Sequence, residues 1–433
     1  MTFEKPREIA CRLLLQRESG QDYIENLLDA ALHESRLSPP DRGLLQELVY
    51  GVVRWQAPLD WLIARKTPPG RTQKPALQIL LRLGLYQMFW LTRIPAHAAV
   101  NETVESAKRQ GFGSQAGFVN AVLRTCLRER EATEQALRDL RQTDPALAAS
   151  HPRWLHERWA ARLSPAELTR LLEWNNTPPP TCARVNTLRA HPDQLHEQWA
   201  REKVEAKLLP TDWAGDTLVY ELQSFPSLAT LPSFQQGLFY IQDPSTLLAA
   251  DELDPQPGET ILDYCAAPGG KTTWLAARMK NQGGIVAHDT SLDRLRLVEE
   301  NCARLGVTCV QVALPSTLAS RLPAPADRIL IDAPCSNTGV MRRRVDLRWR
   351  IRESEIFRLR ANQLQLLRDT VQHLKPGGTL VYSTCSLEPE ENSEVVRDFL
   401  QEHPALHLQR ERTLTPWNNQ VDGAYVARFV RET

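Results

Sequence analysis

The sequence predicts a multidomain protein: an all-α bundle at the N-terminus, a small α+β domain in the middle, and an α/β domain with a doubly wound sheet at the C-terminus. Three observations carry this reading. A chain of 433 residues is too long for one ordinary core, and its length points to about two to four domains. Apolar residues recur at helical spacing through residues 1–140, whereas from residue 236 onward short apolar runs alternate with helical stretches. That alternation is the mark of strands joined by crossover helices.

In the first segment, Arg7 to Leu15 and Tyr23 to Leu32 carry apolar residues at helical spacing. Ser38-Pro39-Pro40-Asp41 opens the next helix, with Ser38 or Asp41 as its cap. Leu44, Leu45, Leu48, Val49, Val52 and Val53 give it a broad apolar stripe. Further helices are expected at Pro58 to Arg65, Lys74 to Trp90, Ala98 to Arg109 and Gly113 to Arg130. The helix from Lys74 is crowded with leucines and reads as the central, buried one.

Residues 141–235 differ in texture. His151-Pro152-Arg153-Trp154-Leu155 opens a short helical pair that Thr177-Pro178-Pro179-Pro180 breaks. A strand at Cys182 to Thr187, a helix from His191 to Glu202, and strands near Ala206 to Leu209 and Leu218 to Leu222 make a small α+β linker unit. Arg184 and Asn186 on that first strand suit an RNA contact, although an ordinary solvated face explains either one alone.

From residue 236 onward, strands are expected at Thr260 to Tyr264, Gly284 to His288, Val307 to Val312, Arg328 to Asp332 and Thr379 to Ser383. Pro376-Gly377-Gly378 reads as the turn feeding the fifth, and Asp422-Gly423 precedes a terminal strand or hairpin at Ala424 to Val430. Ligands in such sheets sit beyond the carboxyl ends of the strands. Two runs end there in cysteine-bearing turns, Asp332-Ala333-Pro334-Cys335-Ser336 and Ser383-Thr384-Cys385-Ser386. The first strand enters Asp263-Tyr264-Cys265-Ala266-Ala267-Pro268-Gly269-Gly270-Lys271-Thr272, whose glycines let a backbone approach a ligand at a helix N-terminus. It is neither a Walker P-loop, since Cys265 stands where the first glycine belongs, nor a GxGxxG fingerprint. A Gly-Gly turn alone also suits a plain strand–helix connector. Asp289, about 20 residues on at the end of the second strand, has the spacing of an acid that binds ribose hydroxyls.

Composition narrows the classes. The 52 basic and 52 acidic residues balance, which excludes a histone-like polycation while leaving local basic patches open. The apolar runs are too short to span a bilayer. Met1-Thr2-Phe3-Glu4-Lys5-Pro6 lacks a signal-peptide h-region. The eight cysteines form no CxxC pair or zinc-ligand spacing. Reduced thiols, a cytoplasmic location, no metal and no membrane are the expectations. Most buried cysteines are small apolar packers, and Cys11, Cys126, Cys302 and Cys309 read that way. The strand-end positions of Cys335 and Cys385 favour chemistry.

Two resemblances add to this. Leu44 to Arg54, Leu83 to Met88, Arg93 to Val104 and Phe118 to Arg124 resemble a NusB-type helical domain, which implies RNA binding. Asp263 to Thr272 and the two cysteine motifs resemble the RNA 5-methylcytosine methyltransferases, which implies a Rossmann-like domain using S-adenosyl-L-methionine. By that resemblance Cys265, Ala266, Ala267, Pro268, Gly269, Gly270 and Lys271 hold the cofactor's methionine end and Asp289 its ribose. Cys385 is then the nucleophile, Cys335 assists proton removal or adduct release, and Asp332 contacts the target base and borders the cofactor. Two departures stand out. No acid follows the third strand at Gln311-Val312-Ala313-Leu314-Pro315, and Arg344-Val345 replaces the family's His-Pro.

Cytosine C5 is a poor nucleophile, and a thiolate adding at C6 makes it enamine-like, which splits one hard step into easier ones. Met341 to Arg350 is the strongest basic patch, and Arg342, Arg343, Arg344 and Arg348 beside Trp349 suit phosphate contact and base stacking. The target cytosine must be unpaired or flipped out. The combination implies an enzyme acting on small-subunit ribosomal RNA as a monomer. A transfer RNA enzyme would share the core motifs, with only the NusB-like segment tilting the choice, and a non-catalytic RNA-binding assembly factor is the alternative of another class.

Overall fold

The computed structural model describes residues 5–68, 73–211 and 218–433, so the Met1-Thr2-Phe3-Glu4 part of the N-terminal reading lies outside the described residues. The chain divides into two compact units, residues 1–177 with 341–350, and residues 178–340 with 351–433. Among the described residues no helix is long and apolar enough to cross a membrane.

In the helical unit, boundaries follow local chemistry. Ser38 caps the helix Pro39–Arg54 by accepting from the Asp41 amide at 3.4 Å, and Pro39 sits in the first turn, where its missing N–H costs nothing. The helix Pro75–Phe89 is buried on almost every side. Gly51 lets Tyr86 cross close by, since a Cβ there would lie 2.0 Å from the Tyr86 ring. The unit runs on to Thr177 rather than stopping near residue 140, through the helices Arg130–Thr143, Arg153–Ala160 and Pro165–Asn176.

The segment 341–350 explains that extension and corrects one expectation. Asp346 is fully buried and accepts from Arg17 Nε at 2.7 Å, the Ile24 amide at 3.0 Å and Arg350 Nε at 2.8 Å. Arg348, also fully buried, donates to Asn176 Oδ1 at 2.7 Å and to the carbonyls of Asn175 and Ser150 at 2.8 and 3.2 Å. Burial and the neighbouring Arg54 charge lower its pKa to about 9. Arg342 is buried with its guanidinium 3.8 Å above the Trp174 ring. Two of the four arginines expected to face phosphate therefore act inside the helical unit, where Arg348 supplies donors to otherwise orphaned carbonyls. Arg344 is exposed and Arg343 partly so.

The second unit holds two sheets. The strands β1 (Thr181–Val185), β2 (Glu205–Leu208), β3 (Val219–Ser224) and β4 (Phe239–Ile241) pair antiparallel in the order β2-β3-β1-β4. Arg184 and Asn186 do not face solvent here: both are buried. Arg184 stacks 4.7 Å over Trp274, and Asn186 donates to the carbonyls of Gly237 and Leu305. The large sheet contains β5 (Thr260–Tyr264), β6 (Gly284–His288), β7 (Val310–Ala313), β8 (Ala326–Asp332), β9 (Leu374–Thr384), β10 (Leu406–Leu414) and β11 (Ala424–Arg431). Its order is β10-β11-β9-β8-β5-β6-β7. The five strands from β5 to β9 run parallel, and β11 is antiparallel to both β9 and β10, so the sheet is Rossmann-like and mixed. Pro376-Gly377-Gly378 is not a separate turn. It lies inside β9 as an irregularity in the pairing with β8, with Gly377 at φ +74°. The chain winds outward from β5 through β6 and β7, then returns to β8 on its other side. That reversal opens a crevice at the carboxyl ends of β5 and β8.

The role of Arg348 can be checked by denaturation. Arg348→Ala strips a donor from buried carbonyls and is expected to destabilise the helical unit by about 2–4 kcal/mol, read as a lower Tm. Arg344→Ala, at an exposed position, is expected to stay within about 0.5 kcal/mol of the parent.

Candidate active site

Every catalytic candidate in the second unit sits at the crevice end of a parallel strand. β8 and β9 are neighbours in register, Asp332 opposite Ser383, and the Ala333 amide donates to the Ser383 carbonyl at 2.9 Å. The chain leaves both strands at the same level, so the loops that follow run side by side, and in them Cys335 Sγ lies 3.3 Å from Cys385 Sγ. Cys385 Sγ also contacts Asn337 Oδ1 at 3.1 Å, and Asn337 is held at φ +57° with its amide donating to the Cys335 carbonyl at 2.7 Å. The Gly339 amide donates to the Cys385 carbonyl at 2.9 Å, and a Cβ at Gly339 would lie 2.7 Å from that oxygen and 2.8 Å from the Gly423 Cα. Only glycine fits between the two loops.

The two thiols are inequivalent. Cys335 is buried and Cys385 partly exposed. The hydrogen bond with Cys385, then burial, then the charges of Cys385 and Glu391 push the Cys335 pKa well above the ordinary thiol value. Cys335 is thus the partner that keeps its proton. Elsewhere burial is the largest cause. It pushes the thiols of Cys11, Cys126 and Cys302 up to about 12, 11 and 12, and it raises Cys309 as well.

On the β5 side, Cys265 takes the left-handed conformation at φ +68°. Burial, followed by the charges of Asp332, Asp289 and Asp263, pushes its thiol up to about 12. Ala266, Ala267 and Pro268 lead to Gly269 at φ +98° and to the helix Gly270–Arg278. A Cβ at Gly269 would lie 3.2 Å from the Val298 Cα, and one at Gly270 would lie 3.1 Å from the Tyr240 ring. The loop therefore presents bare backbone and the first-turn amides of a helix, a cradle for a negatively charged group. Asp289 at the end of β6 accepts from the Ala267 and Ser291 amides, each at 3.3 Å. Arg294 bridges the two elements, with Nη1 on Asp289 at 3.3 Å and Nη2 on the Ala267 carbonyl at 2.8 Å.

Lys271 joins this half of the crevice to the cysteine half. Its Nζ lies 2.6 Å from Asp332 Oδ2. Burial disfavours the lysine charge, but the Asp332 carboxylate outweighs burial and the Lys271 pKa is raised. Asp263, beneath the loop, accepts from Thr272 Oγ1 at 2.6 Å, while its Oδ1 is buried without a hydrogen-bond partner among the described residues. No group of three or more His, Cys, Asp or Glu suited to a metal ion occurs among the described residues.

Sequence reasoning named Asp332, Cys335, Cys385, the loop from Cys265 to Lys271, and Asp289, and the structure gathers all of them along one edge of the sheet. It missed Arg294, Asn337 and Glu391. The Cys-Ser dipeptide repeated at both strand ends, with the acidic pair Glu390-Glu391 soon after the second, was the available signal for the last of these.

Known proteins resemble this chain along its whole length. Family models match residues 4–128 (NusB family), 151–219 (Methyltr_RsmF/B-like, ferredoxin-like domain) and 250–430 (16S rRNA methyltransferase RsmB/F). The probable ribosomal RNA small subunit methyltransferase B of Bacillus subtilis is 38% identical over 405 residues, covering 92% of this chain and 88% of its own. The ribosomal RNA small subunit methyltransferase B of Erwinia tasmaniensis is 38% identical over 429 residues, 96% of each chain. Among solved structures, a methyltransferase homolog protein from Pyrococcus horikoshii is 32% identical with a TM-score of 0.58, covering 66% of this chain and 98% of its own. The fold of PH0851 matches 99% of both chains at 24% identity, with a TM-score of 0.78.

Asp263 generates a pH test. Burial pushes its pKa up from 3.8 to about 7, against the hydrogen bond from Thr272. A raised carboxyl stabilises the fold while protonated, and that contribution is lost as pH rises from about 4 through about 7. The Tm of the parent minus that of Asp263→Asn is expected to fall across this window in calorimetry. A difference that is flat or rises with pH contradicts the assignment.

Proposed function

Since the chain belongs to the ribosomal RNA small subunit methyltransferase B family, we propose that it methylates C5 of a cytosine in small-subunit ribosomal RNA, with S-adenosyl-L-methionine as donor and a covalent cysteine–C6 adduct on the way. The observation that carries this reading is the 3.3 Å approach of Cys335 and Cys385 beside the Lys271–Asp332 pair.

The crevice suits that donor. The loop from Cys265 to Lys271 and the free amides of the helix that follows receive the methionine carboxylate, and Asp289 receives the ribose hydroxyls. When bound, S-adenosyl-L-methionine supplies an electrophilic methyl group. Everything else is done by side chains of this chain. Cys385, the more accessible thiol, adds through its thiolate to C6 of a cytosine that has left its stack, and C5 becomes nucleophilic. Asp332, oriented by Lys271, hydrogen-bonds the base edge and favours charge build-up on the ring. Cys335, protonated at rest, lies close enough to pass its proton to the departing Cys385 sulfur and to take up the C5 proton in its place as the C6–sulfur bond breaks. Of the four arginines expected to contact phosphate, Arg344 is exposed and Arg343 partly exposed.

Trapping on RNA containing 5-fluorocytosine tests the division of labour. With fluorine in place of the C5 hydrogen there is no proton to lose after methyl transfer, so the adduct persists. The parent and Cys335→Ala are expected to give a denaturation-resistant protein–RNA band, and Cys385→Ala to give none and to lose methyl transfer by about a thousandfold or more. A band that survives in Cys385→Ala but vanishes in Cys335→Ala overturns the assignment.

A further inference from the structure

Nothing in the strand pairing alone fixes the distance between the two sulfurs. Both cysteines lie beyond their strands, on stretches without regular structure at 333–337 and 385–388. What joins those stretches is Glu391, fully buried. Its Oε1 accepts from the Ser336 amide at 2.8 Å and from Gln363 Nε2 at 3.0 Å. Its Oε2 accepts from the Ser386 hydroxyl at 2.5 Å and from the Ser336 hydroxyl. Ser336 directly follows Cys335 and Ser386 directly follows Cys385, so one carboxylate grips the residue next to each sulfur. Gln363 also donates to the Pro334 carbonyl at 2.9 Å, and the Tyr382 hydroxyl donates to the Glu391 carbonyl at 2.7 Å. The clamp is thereby anchored to the helix Glu353–Val371 and to β9.

A buried carboxylate without a cation is costly unless hydrogen-bonded. Here the donors serving Glu391 come chiefly from the two cysteine loops. An apolar side chain of similar volume would fill the space with no such penalty, but it would leave the loops untied. We infer that Glu391 is the positioning residue of the two-cysteine site, its carboxylate holding Ser336 and Ser386 together and so setting the separation of the sulfurs they follow. Its functional consequence rests on the reading that these thiols perform the methylation. A supporting observation is that the Glu391 charge helps keep the proton on Cys335.

A trivalent arsenical, phenylarsine oxide, condenses with two thiols only when they lie close together, so it reads the sulfur geometry without RNA. The reaction attributable to the pair is the part lost in Cys335→Ala. Glu391→Ala is expected to slow that bridging at least tenfold while iodoacetamide still alkylates Cys385, and to lower kcat at least tenfold with KM for S-adenosyl-L-methionine held within twofold. Glu391→Gln, which retains one acceptor and an amide the serine hydroxyls can accept from, is expected to recover most of both. Parent-like bridging in Glu391→Ala overturns the inference. If that variant does not fold, Ser386→Ala decides: bridging slowed at least threefold supports the clamp, and an unchanged rate overturns it. If bridging responds as expected but even the parent forms no adduct on fluorocytosine RNA, the proposed reaction fails and the clamp stands.

Discussion

The structure depends on one pairing, that of β8 with β9 in parallel register. Leu330 lies opposite Val381 and Asp332 opposite Ser383, and Ile329, Leu330, Ile331, Leu380, Val381 and Tyr382 are all buried at 0% exposure. Leu330 and Val381 pack on one face and Ile329, Ile331, Leu380 and Tyr382 on the other, so a one-residue slip would exchange the two sets between cores shaped for different side chains. Register then sets the level at which both strands end, and so brings side by side two loops whose thiols lie 50 residues apart in the sequence.

Electrostatics divides the crevice into parts with different tasks. Asp332 has a cation, Lys271, at 2.6 Å, and this ion pair bridges the loop after β5 to the end of β8. Asp263 has only a hydroxyl, and burial holds its carboxyl up to about 7. Glu391 has only neutral donors, and burial raises its pKa too. The carboxyls at this edge of the sheet thus differ in how they are satisfied. Asp332, paired with Lys271, is partly exposed to the crevice, whereas Asp263 and Glu391, which have no cation, are fully buried, and Asp289 is buried with Arg294 as its cation. That is the arrangement expected of a site whose reacting groups are oriented by a buried polar frame.

Much of this was legible in the sequence for physical reasons. The runs Ile261-Leu262 and Ile329-Leu330-Ile331 are short, continuous and apolar, as doubly buried parallel strands must be. Gly269 and Gly270 announce a backbone approach that a side chain would block. Less legible was β10, whose His407-Leu408-Gln409-Arg410-Glu411-Arg412 core is polar and exposed at the sheet edge, so no alternation reveals it. The three-residue β4 is too short to carry a pattern. The basic segment misled because charge is read locally while burial is not. Arg348 looks like a phosphate ligand until the carbonyls of Ser150 and Asn175, nearly two hundred positions earlier in the chain, are seen to take its hydrogens. Glu391 escaped for the same reason, since its partners Ser336 and Gln363 become neighbours only in the fold.

The central claim is that the sulfur after β9 attacks and the sulfur after β8 assists. It is tested most directly by digesting the parent protein trapped on fluorocytosine RNA and locating the nucleotide mass on a peptide by tandem mass spectrometry. The account predicts the modification on Cys385, with Cys335 recovered as a free thiol. A nucleotide carried by Cys335 would contradict it.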